Sequence, residues 1–321
     1  MINPVHLRSH TLFLGLAQMK GIGFKTMREW GGPLGVADMQ AEGSLLPLVA
    51  STTGMETGAI KRQAMVKGVA THRRLRESAV HLITQADERY PRTFRNLPLD
   101  SQPLWLFCRG DLSLLQRPSV AVVGTRDPSI EGIFLTQYAA RAVQEMHSPL
   151  VSGLALGVDA IAHETALSAS VPNISILGTG ILRPYPARNS WMADAIVASG
   201  GLLISEYFPD AEPAAEQFVW RNRLQAALAS CVIATQWKKS SGTAHTIRYA
   251  KSFGRQTINL VPNGMSISPE HGVAQTCFEV PRQHTDFVQC MSDALSQWPD
   301  FKATGAKERE AKVVEQPQLF G

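Results

Sequence analysis

Short apolar runs alternate with longer amphipathic stretches from residue 118 onward, and this alternation most constrains the fold. The runs cover residues 120–123, 150–152, 174–177, 202–205, 232–235 and 257–260. The stretches between them have helical spacing and cover residues 130–146, 158–169, 189–198, 218–228 and 244–253. Apolar runs of three or four residues are typical of parallel strands that are buried on both faces. The pattern therefore predicts an α/β fold with a doubly wound, mainly parallel sheet, whose ligands bind at the carboxyl ends of the strands.

Three segments follow from the changes in pattern along the 321 residues. Residues 1–85 have helical spacing and are predicted to form a small helical domain. Residues 86–299 are predicted to contain the sheet, with a proline-rich connector at their start and a strand at 104–108. Residues 300–321 are polar, and we expect a disordered tail whose last six residues are a candidate docking peptide or are simply solvated.

The amino terminus resembles no signal peptide, and no apolar run is long enough to span a membrane. We therefore expect a cytoplasmic protein. Its four cysteines, at 108, 231, 277 and 290, lack CxxC spacing, so we expect reduced thiols and no metal site. The first glycine loop lacks the GxGxxG pattern, so no nicotinamide or flavin cofactor is expected.

The distribution of charge is more informative than the formal net charge of +4. Residues 61–76 carry six cations and no acid, and residues 217–269 carry seven cations and no acid. Such windows occur on solvated basic faces and on surfaces that bind polyanions. We favour a polyanion site because several of these cations fall on predicted loops at the carboxyl edge of the sheet.

The first two of these loops carry glycines and polar groups suited to phosphate. Gly124 permits a tight turn after the first strand, and Arg126 lies beside a helix start that Ser129 is placed to cap. The second loop contains Ser152, Gly153 and Gly157, whose backbone amides are predicted to form an anion-binding nest. Asp159 and His163 share a helix face there, and we favour an intrahelical or interstrand hydrogen bond that fixes the loop over a metal site.

The remaining loops combine cations with aromatic rings, as single-stranded nucleic acid requires. Their candidate binding residues are Gly178, Gly180, Arg183, Arg188, Arg221, Asn222, Arg223, Lys238, Lys239, Ser241, Gly242 and Thr243. The rings among them are Tyr185, Phe208, Trp220 and Trp237, and for each ring taken alone core packing is the favoured role.

These loops resemble the DprA/Smf family of DNA-processing proteins. The resemblance covers residues 90–262 and rests on VAVVGTRDPS, SGLALGVDAIAH, ILGTGILRPYPARN, GGLLISEYFP, RNRLQAALA and KKSSGTAHTIRYAKSFGR, in that order. It implies a Rossmann-like fold preceded by a helical SAM-like domain. In that domain LGLAQMKGIGFKTMREW is similar to a helix–hairpin–helix, which either contacts DNA or only packs its helices.

The resemblance also implies a function. Family members have no established catalytic centre, bind single-stranded DNA, form dimers and load RecA-type recombinases in natural transformation. The expected protein is therefore a non-catalytic recombination mediator with single-stranded DNA, a second copy and a RecA-type recombinase as partners, and no membrane partner. Three departures mark a divergent member: residues 181–183 are ILR where the family has a GID-type turn, residues 235–237 are TQW, and no winged-helix domain is recognisable.

Two alternatives remain open from the sequence. One is a nucleotide-ligand sensor or nucleoside-monophosphate glycosidase, possible in a mobile-element or defence setting, with Glu206 as general base. The favoured interpretation of Glu206 is instead a capping carboxylate that holds Arg221 or Arg223. The other alternative is an adaptor with a vestigial pocket. In the favoured mechanism, rings stack the bases and five cations neutralise successive phosphates along the sheet edge. These cations are Arg126, Arg183, Arg221, Arg223 and Lys239.

Overall fold

The computed structural model describes residues 4–265 and 274–298. Its amino-terminal part is helical and ends at residue 77. The helices are α1 (Pro4–Leu16), α2 (Phe24–Glu29), α3 (Gly32–Glu42), α4 (Leu45–Thr53) and α5 (Thr57–Glu77).

The rest of the described chain builds one mixed sheet and the helices that cover it. The strands are β1 (Val80–Thr84), β2 (Trp105–Gly110), β3 (Val120–Val123), β4 (Leu150–Ser152), β5 (Asn173–Leu177), β6 (Leu202–Ser205), β7 (Cys231–Ala234), β8 (Gln256–Pro262) and β9 (Thr276–Val280). The helices are α6 (Arg92–Arg95), α7 (Ile130–Glu145), α8 (Val158–Ser168), α9 (Ser190–Ala198), α10 (Ala215–Leu228), α11 (Gly242–Ser252) and α12 (His284–Ser296).

The strands lie in the order β1-β2-β6-β5-β4-β3-β7-β8-β9. The seven strands from β6 to β9 in this order pair in parallel, whereas β2 is antiparallel to β6 and β1 is antiparallel to β2. Strands β4, β5 and β6 add in turn on one side of β3, and β7, β8 and β9 then add on the other side of β3. This reversal creates a switch point between β3 and β7, the place where doubly wound sheets bind ligands.

Side chains of the central strands alternate between two apolar layers, as the pleat requires. Ala121 and Val123 pack with α10 and α11 on one face, whereas Val120 and Val122 pack with α7, α8 and α12 on the other. The strands are therefore buried on both sides, which explains their uninterrupted apolar sequence.

The amino-terminal helices close against β2 and α9 through a third apolar cluster. Helix α5 buries a stripe of Ile60, Ala64, Gly68, Thr71 and Leu75, whose spacing is that of one helix face. A Cβ atom on Gly68 would overlap the carbonyl of Thr11, so glycine permits close packing of α1 on α5.

The predicted α/β class with a doubly wound, mainly parallel sheet is confirmed, and each predicted strand overlaps an observed one. Two strands were not predicted, β1 and β9. Strand β1 is a correction to the predicted boundary at residue 85, because it lies within 1–85 yet pairs with β2 in the sheet. The predicted tail at 300–321 lies outside the described residues. Within the described ranges, no helix combines the length and apolar character needed to cross a membrane.

Candidate nucleic-acid interface

A cavity of about 700 Å³ opens at the switch point, beside the carboxyl ends of β3 and β7. Its walls come from the loop after β3, the start of α8, one face of α10 and the start of α11. Seven predicted site residues line it: Gly124, Arg126, Arg221, Asn222, Ser241, Gly242 and Thr243. The structure thus brings together residues that are far apart in the sequence.

One wall presents backbone amides and a cation. Helix α11 begins at Gly242, and the first amides of a helix have no partner within the helix. The Thr243 hydroxyl donates to the Gly124 carbonyl at 2.9 Å, which fixes this helix start to the first loop. Arg126 is exposed on the same loop. Because a helix start and an arginine both favour negative charge, this wall suits a phosphate group.

The floor comes from α10, which places Phe218, Arg221, Asn222 and Gln225 on the cavity. Arg221 is 4% exposed and donates through Nη1 to the carbonyls of Gly153 and Ile176, the former at 2.8 Å. Burial lowers the pKa of its guanidinium, and nearby Asp159 opposes that shift. Arg221 therefore supports the cavity floor, and its cationic charge lies beneath the ligand space.

Arg223 requires a correction, because it is fully buried and lies away from this cavity. Its Nη2 atom donates to Glu206 Oε2 at 2.5 Å, and its guanidinium lies 3.8 Å from the Trp220 ring centroid. Glu206 is 1% exposed and also accepts from Arg28 at 2.7 Å. The interpretation of Glu206 as a carboxylate that holds an arginine is confirmed for Arg223, so the fold gives Arg223 no access to a phosphate.

The aromatic residues divide into one pocket residue and three packing residues. Tyr185 lines the cavity and contacts Phe218, with ring centroids 5.6 Å apart. Phe208 instead stacks on the buried Trp105 ring, and Trp237 is buried with its Nε1 atom donating to Asn259. Trp220 packs beneath Arg223. Core packing, the favoured role for each ring taken alone, accounts for these three.

The predicted glycines of the second and third loops act as close-contact positions. A Cβ on Gly153 would overlap the Arg221 guanidinium, and one on Gly157 would overlap the backbone of Arg126. A Cβ on Gly178 would overlap the Phe218 ring, and Gly180 lies against the backbone after β6. Ser152 is buried and donates to the Val122 carbonyl at 2.8 Å. These residues shape the cavity from behind, and direct contact of their amides with DNA stays a prediction.

Four predicted cations lie on exposed loops outside the cavity lining: Arg183, Arg188, Lys238 and Lys239. Arg183 forms an ion pair with Glu212, and both side chains are at least half exposed. The DNA contacts of these four stay predictions.

Asp159 and His163 are buried at the start and middle of α8. His163 Nδ1 hydrogen-bonds Asn173 Oδ1 at 2.9 Å, and burial lowers the pKa of its ring. Asp159 accepts a long hydrogen bond, 3.4 Å, from the Ala155 amide and lines the cavity. No group of three or more potential metal ligands occurs within residues 4–265 and 274–298.

Phe218 and Gln225 are among the cavity residues that sequence reasoning missed. Both follow from helix geometry, since positions 218, 221, 222 and 225 fall on one face at spacings of three and four residues. Phe218 also lies 5.7 Å from the Arg126 guanidinium, a cation–π contact across the cavity mouth.

A doubly wound sheet with a cation- and amide-lined cavity at its switch point defines a Rossmann-like α/β protein with a candidate polyanion site. Comparison with known proteins then identifies the family. A sequence profile of DNA recombination-mediator protein A matches residues 81–298. The chain belongs to this family.

Individual relatives agree with this assignment. The chain is 36% identical to Protein Smf of Synechocystis over 194 residues, which is 59% of this chain and 48% of that protein. It is 31% identical to a putative DNA processing protein DprA of Mycobacterium tuberculosis over 275 residues, 82% of this chain and 68% of the relative. The chain thus spans about half to two thirds of the length of such relatives.

Two solved structures share the fold. DNA processing protein A from Streptococcus pneumoniae superposes with a TM-score of 0.63 at 25% identity, covering 89% of this chain and 99% of that one. DNA processing protein A from Helicobacter pylori, described for its single-stranded DNA binding mode, gives 0.57 at 30% identity, covering 67% and 96%.

Proposed function

We propose that this chain binds single-stranded DNA in the switch-point cavity and acts as a non-catalytic recombination mediator. The single observation that carries the proposal is the wall where Arg126 and the start of α11 face one space next to Phe218 and Tyr185. Cations and helix-start amides suit phosphates, and rings suit bases, with stacking contributing about 1–3 kcal/mol per base. Family membership and the described role of the Helicobacter pylori relative support the same function.

The glycosidase alternative loses the residue on which it rested. Glu206 is buried between Arg28 and Arg223 and does not line the cavity. A general base must reach its substrate within hydrogen-bonding distance. The geometry therefore favours binding over catalysis at this site.

Two partners complete the proposal, a second copy of this chain and a RecA-type recombinase. Both come from the family resemblance. Light scattering in solution tests the dimer, and strand-exchange assays with a RecA-type recombinase, with and without this protein, test the loading role. A monomer, or no stimulation of exchange, would contradict the corresponding partner.

Fluorescence anisotropy of labelled oligothymidylate at several salt concentrations tests the binding itself. We expect single strands to bind tightly, duplex and mononucleotide to compete weakly, and affinity to fall with salt. Arg126→Gln should weaken binding and make the negative slope of log affinity against log salt shallower by about 0.7, the value for one phosphate contact on a single strand.

Arg141→Gln is the matched control, because Arg141 is exposed on α7 and does not line the cavity. It should leave the affinity within about twofold of the unsubstituted protein. Equal losses in the two variants would mean that the strand follows general surface charge, and the cavity would lose its assigned role.

A further inference from the structure

The switch-point cavity has a second wall whose chemistry does not suit phosphate. Asp159 lines it from the first turn of α8, and Gln225 lines it from the same face of α10 that forms the cavity floor. Asp159 stabilises the nearby Arg221 cation, but a carboxylate in the lining repels phosphate and suits a different part of the ligand. The nucleobase is the part of a DNA strand that offers hydrogen-bond donors to a carboxylate.

The Asp159 carboxylate retains most of its hydrogen-bonding capacity. The side chain is 7% exposed, and its one described hydrogen bond is the long contact of 3.4 Å from the Ala155 amide. Among the described residues it forms no ion pair within 4 Å. An ionised carboxylate has about four lone-pair sites and can accept two parallel hydrogen bonds.

Gln225 contributes the complementary group. The side chain is 2% exposed, and its Nε2 atom is buried with no hydrogen-bond partner among the described residues. A buried donor without an acceptor is costly, which makes it a strong ligand contact when an acceptor enters. The lining of one cavity therefore includes a carboxylate acceptor pair, an amide donor and the Phe218 ring.

We propose that this wall reads one unstacked base on its Watson–Crick edge and prefers guanine. This inference rests on the proposed DNA-binding function and deepens it. Guanine presents two adjacent donors, N1–H and the N2 amino group, to the Asp159 carboxylate, and its O6 atom accepts from Gln225. Adenine, cytosine and thymine each present a single donor group beside an acceptor, so none forms the same bidentate pair with a carboxylate.

The test measures binding of labelled hexathymidylates in which one central base is guanine, hypoxanthine, adenine or cytosine, with plain hexathymidylate as the reference. Guanine should bind about tenfold more tightly than thymine, the discrimination typical of a good bidentate pair. Hypoxanthine lacks the N2 amino group and should fall between the two. This comparison needs no variant, so it stands even where a substitution impairs folding.

Asp159→Asn separates base reading from general electrostatics. The substitution removes a negative charge from a site for polyanions, so thymine affinity should stay equal or increase while the guanine-to-thymine ratio falls to within about twofold. Glu164→Gln is the matched control, since Glu164 is exposed on the same helix and outside the cavity. It should keep the tenfold ratio.

Gln225→Leu removes the buried donor without a partner and so should leave the urea unfolding midpoint equal or higher, while guanine binding weakens about fivefold. Equal binding of all five oligonucleotides by the unsubstituted protein, or an unchanged ratio in Asp159→Asn, would overturn the base-reading proposal alone. Failure of every oligonucleotide to bind would instead contradict the proposed function.

Discussion

The buried carboxylate of Glu206 joins an arginine of the amino-terminal helices to an arginine of a helix that covers the sheet. Each of its oxygens accepts from a different arginine, Oε1 from Arg28 of α2 and Oε2 from Arg223 of α10. Arg28 also donates to the carbonyls of Asp100 and Gln102, in the connector before β2. Glu206→Gln keeps the shape of the side chain, removes its charge and replaces one of its two acceptor oxygens with an amide donor, so it is the perturbation of choice.

The expected magnitude follows from the exposure of the three charges. The Glu206 and Arg223 side chains are 1% and 0% exposed, so the substitution leaves the Arg223 cation buried without its counter-charge. Breaking such a buried pair costs about 3–5 kcal/mol of unfolding free energy. The Arg28 side chain is 18% exposed, and Arg28→Gln leaves the Glu206–Arg223 pair intact. We expect it to cost about 1.5–3 kcal/mol, the value of one hydrogen bond to a charged group.

Urea unfolding followed by tryptophan fluorescence and far-ultraviolet circular dichroism measures both changes. Asp194→Asn is the surface control, because Asp194 is 70% exposed and its ion pair with the partly exposed Arg109 should be worth under about 1 kcal/mol. The double variant Glu206→Gln/Arg223→Gln should lose less than the sum of the single losses, since no lone buried charge remains. A loss below about 1 kcal/mol in Glu206→Gln, or additive losses in the double variant, would refute this account of the buried charges.

Three further predictions concern the cavity and its support. Gly153→Ala should cost about 1–3 kcal/mol in urea unfolding and weaken oligothymidylate binding in anisotropy, because its Cβ would displace the Arg221 guanidinium. Burial lowers the His163 pKa, so the unfolded state takes up protons first and the unfolding free energy should decrease below about pH 6.5, by at most about 1.4 kcal/mol per pH unit. His163→Gln should flatten that decrease in urea titrations at pH 7.5 and 5.5. Tyr185→Ala should weaken oligothymidylate binding about tenfold in anisotropy with stability nearly unchanged, since the ring is 44% exposed.

Each of the three has a control in the same chain. Gly58→Ala lies in α5, where the nearest atom to its new Cβ is 3.6 Å away, and should not destabilise. His147→Gln is exposed and should leave the pH dependence unchanged. Trp191→Ala removes a ring that is 54% exposed outside the cavity and should not affect binding. A control that matched its partner variant would contradict the corresponding prediction.

The fold could be predicted wherever strands are buried on both faces. Strands β3, β4 and β6 coincide with the predicted runs because every residue in them is buried and apolar or small. Strands β1 and β9 lie at the two edges of the sheet, and both leave part of their side chains exposed. Their sequences, VHLIT and TCFEV, mix polar and apolar residues, so a search for apolar runs cannot find them.

The site was predictable to the level of loops and not to the level of single arginines. Arg221 and Arg223 are two residues apart, which on a helix turns them about 200° from each other. One therefore lies under the cavity and the other faces the amino-terminal helices. The partner that completes the second contact, Arg28, precedes Glu206 by 178 positions, and no local pattern connects residues at that separation.

The acid-free window at 217–269 predicted a polyanion site, yet three of its seven cations are buried arginines that donate to carbonyls of the chain: Arg221, Arg223 and Arg255. These arginines need no acid within the window, because backbone carbonyls accept from all three and Glu206, outside the window, pairs with Arg223. Among the predicted cations, Arg126 lines the cavity and is exposed, and Lys238 and Lys239 are exposed just before the cavity residue Ser241.

This distinction changes the expected salt dependence of binding. Three phosphate contacts at about 0.7 each give a slope of log affinity against log salt of about −2 for a short single strand. Participation of all five cations of the favoured sequence mechanism would give about −3.5. The slope, measured on a hexathymidylate between about 50 and 300 mM salt, distinguishes three phosphate contacts from five. A value near −3.5 would mean that further cations join these three, either exposed Arg183 and Arg188 on their loop or the buried arginines of α10, and only the second case requires α10 to move.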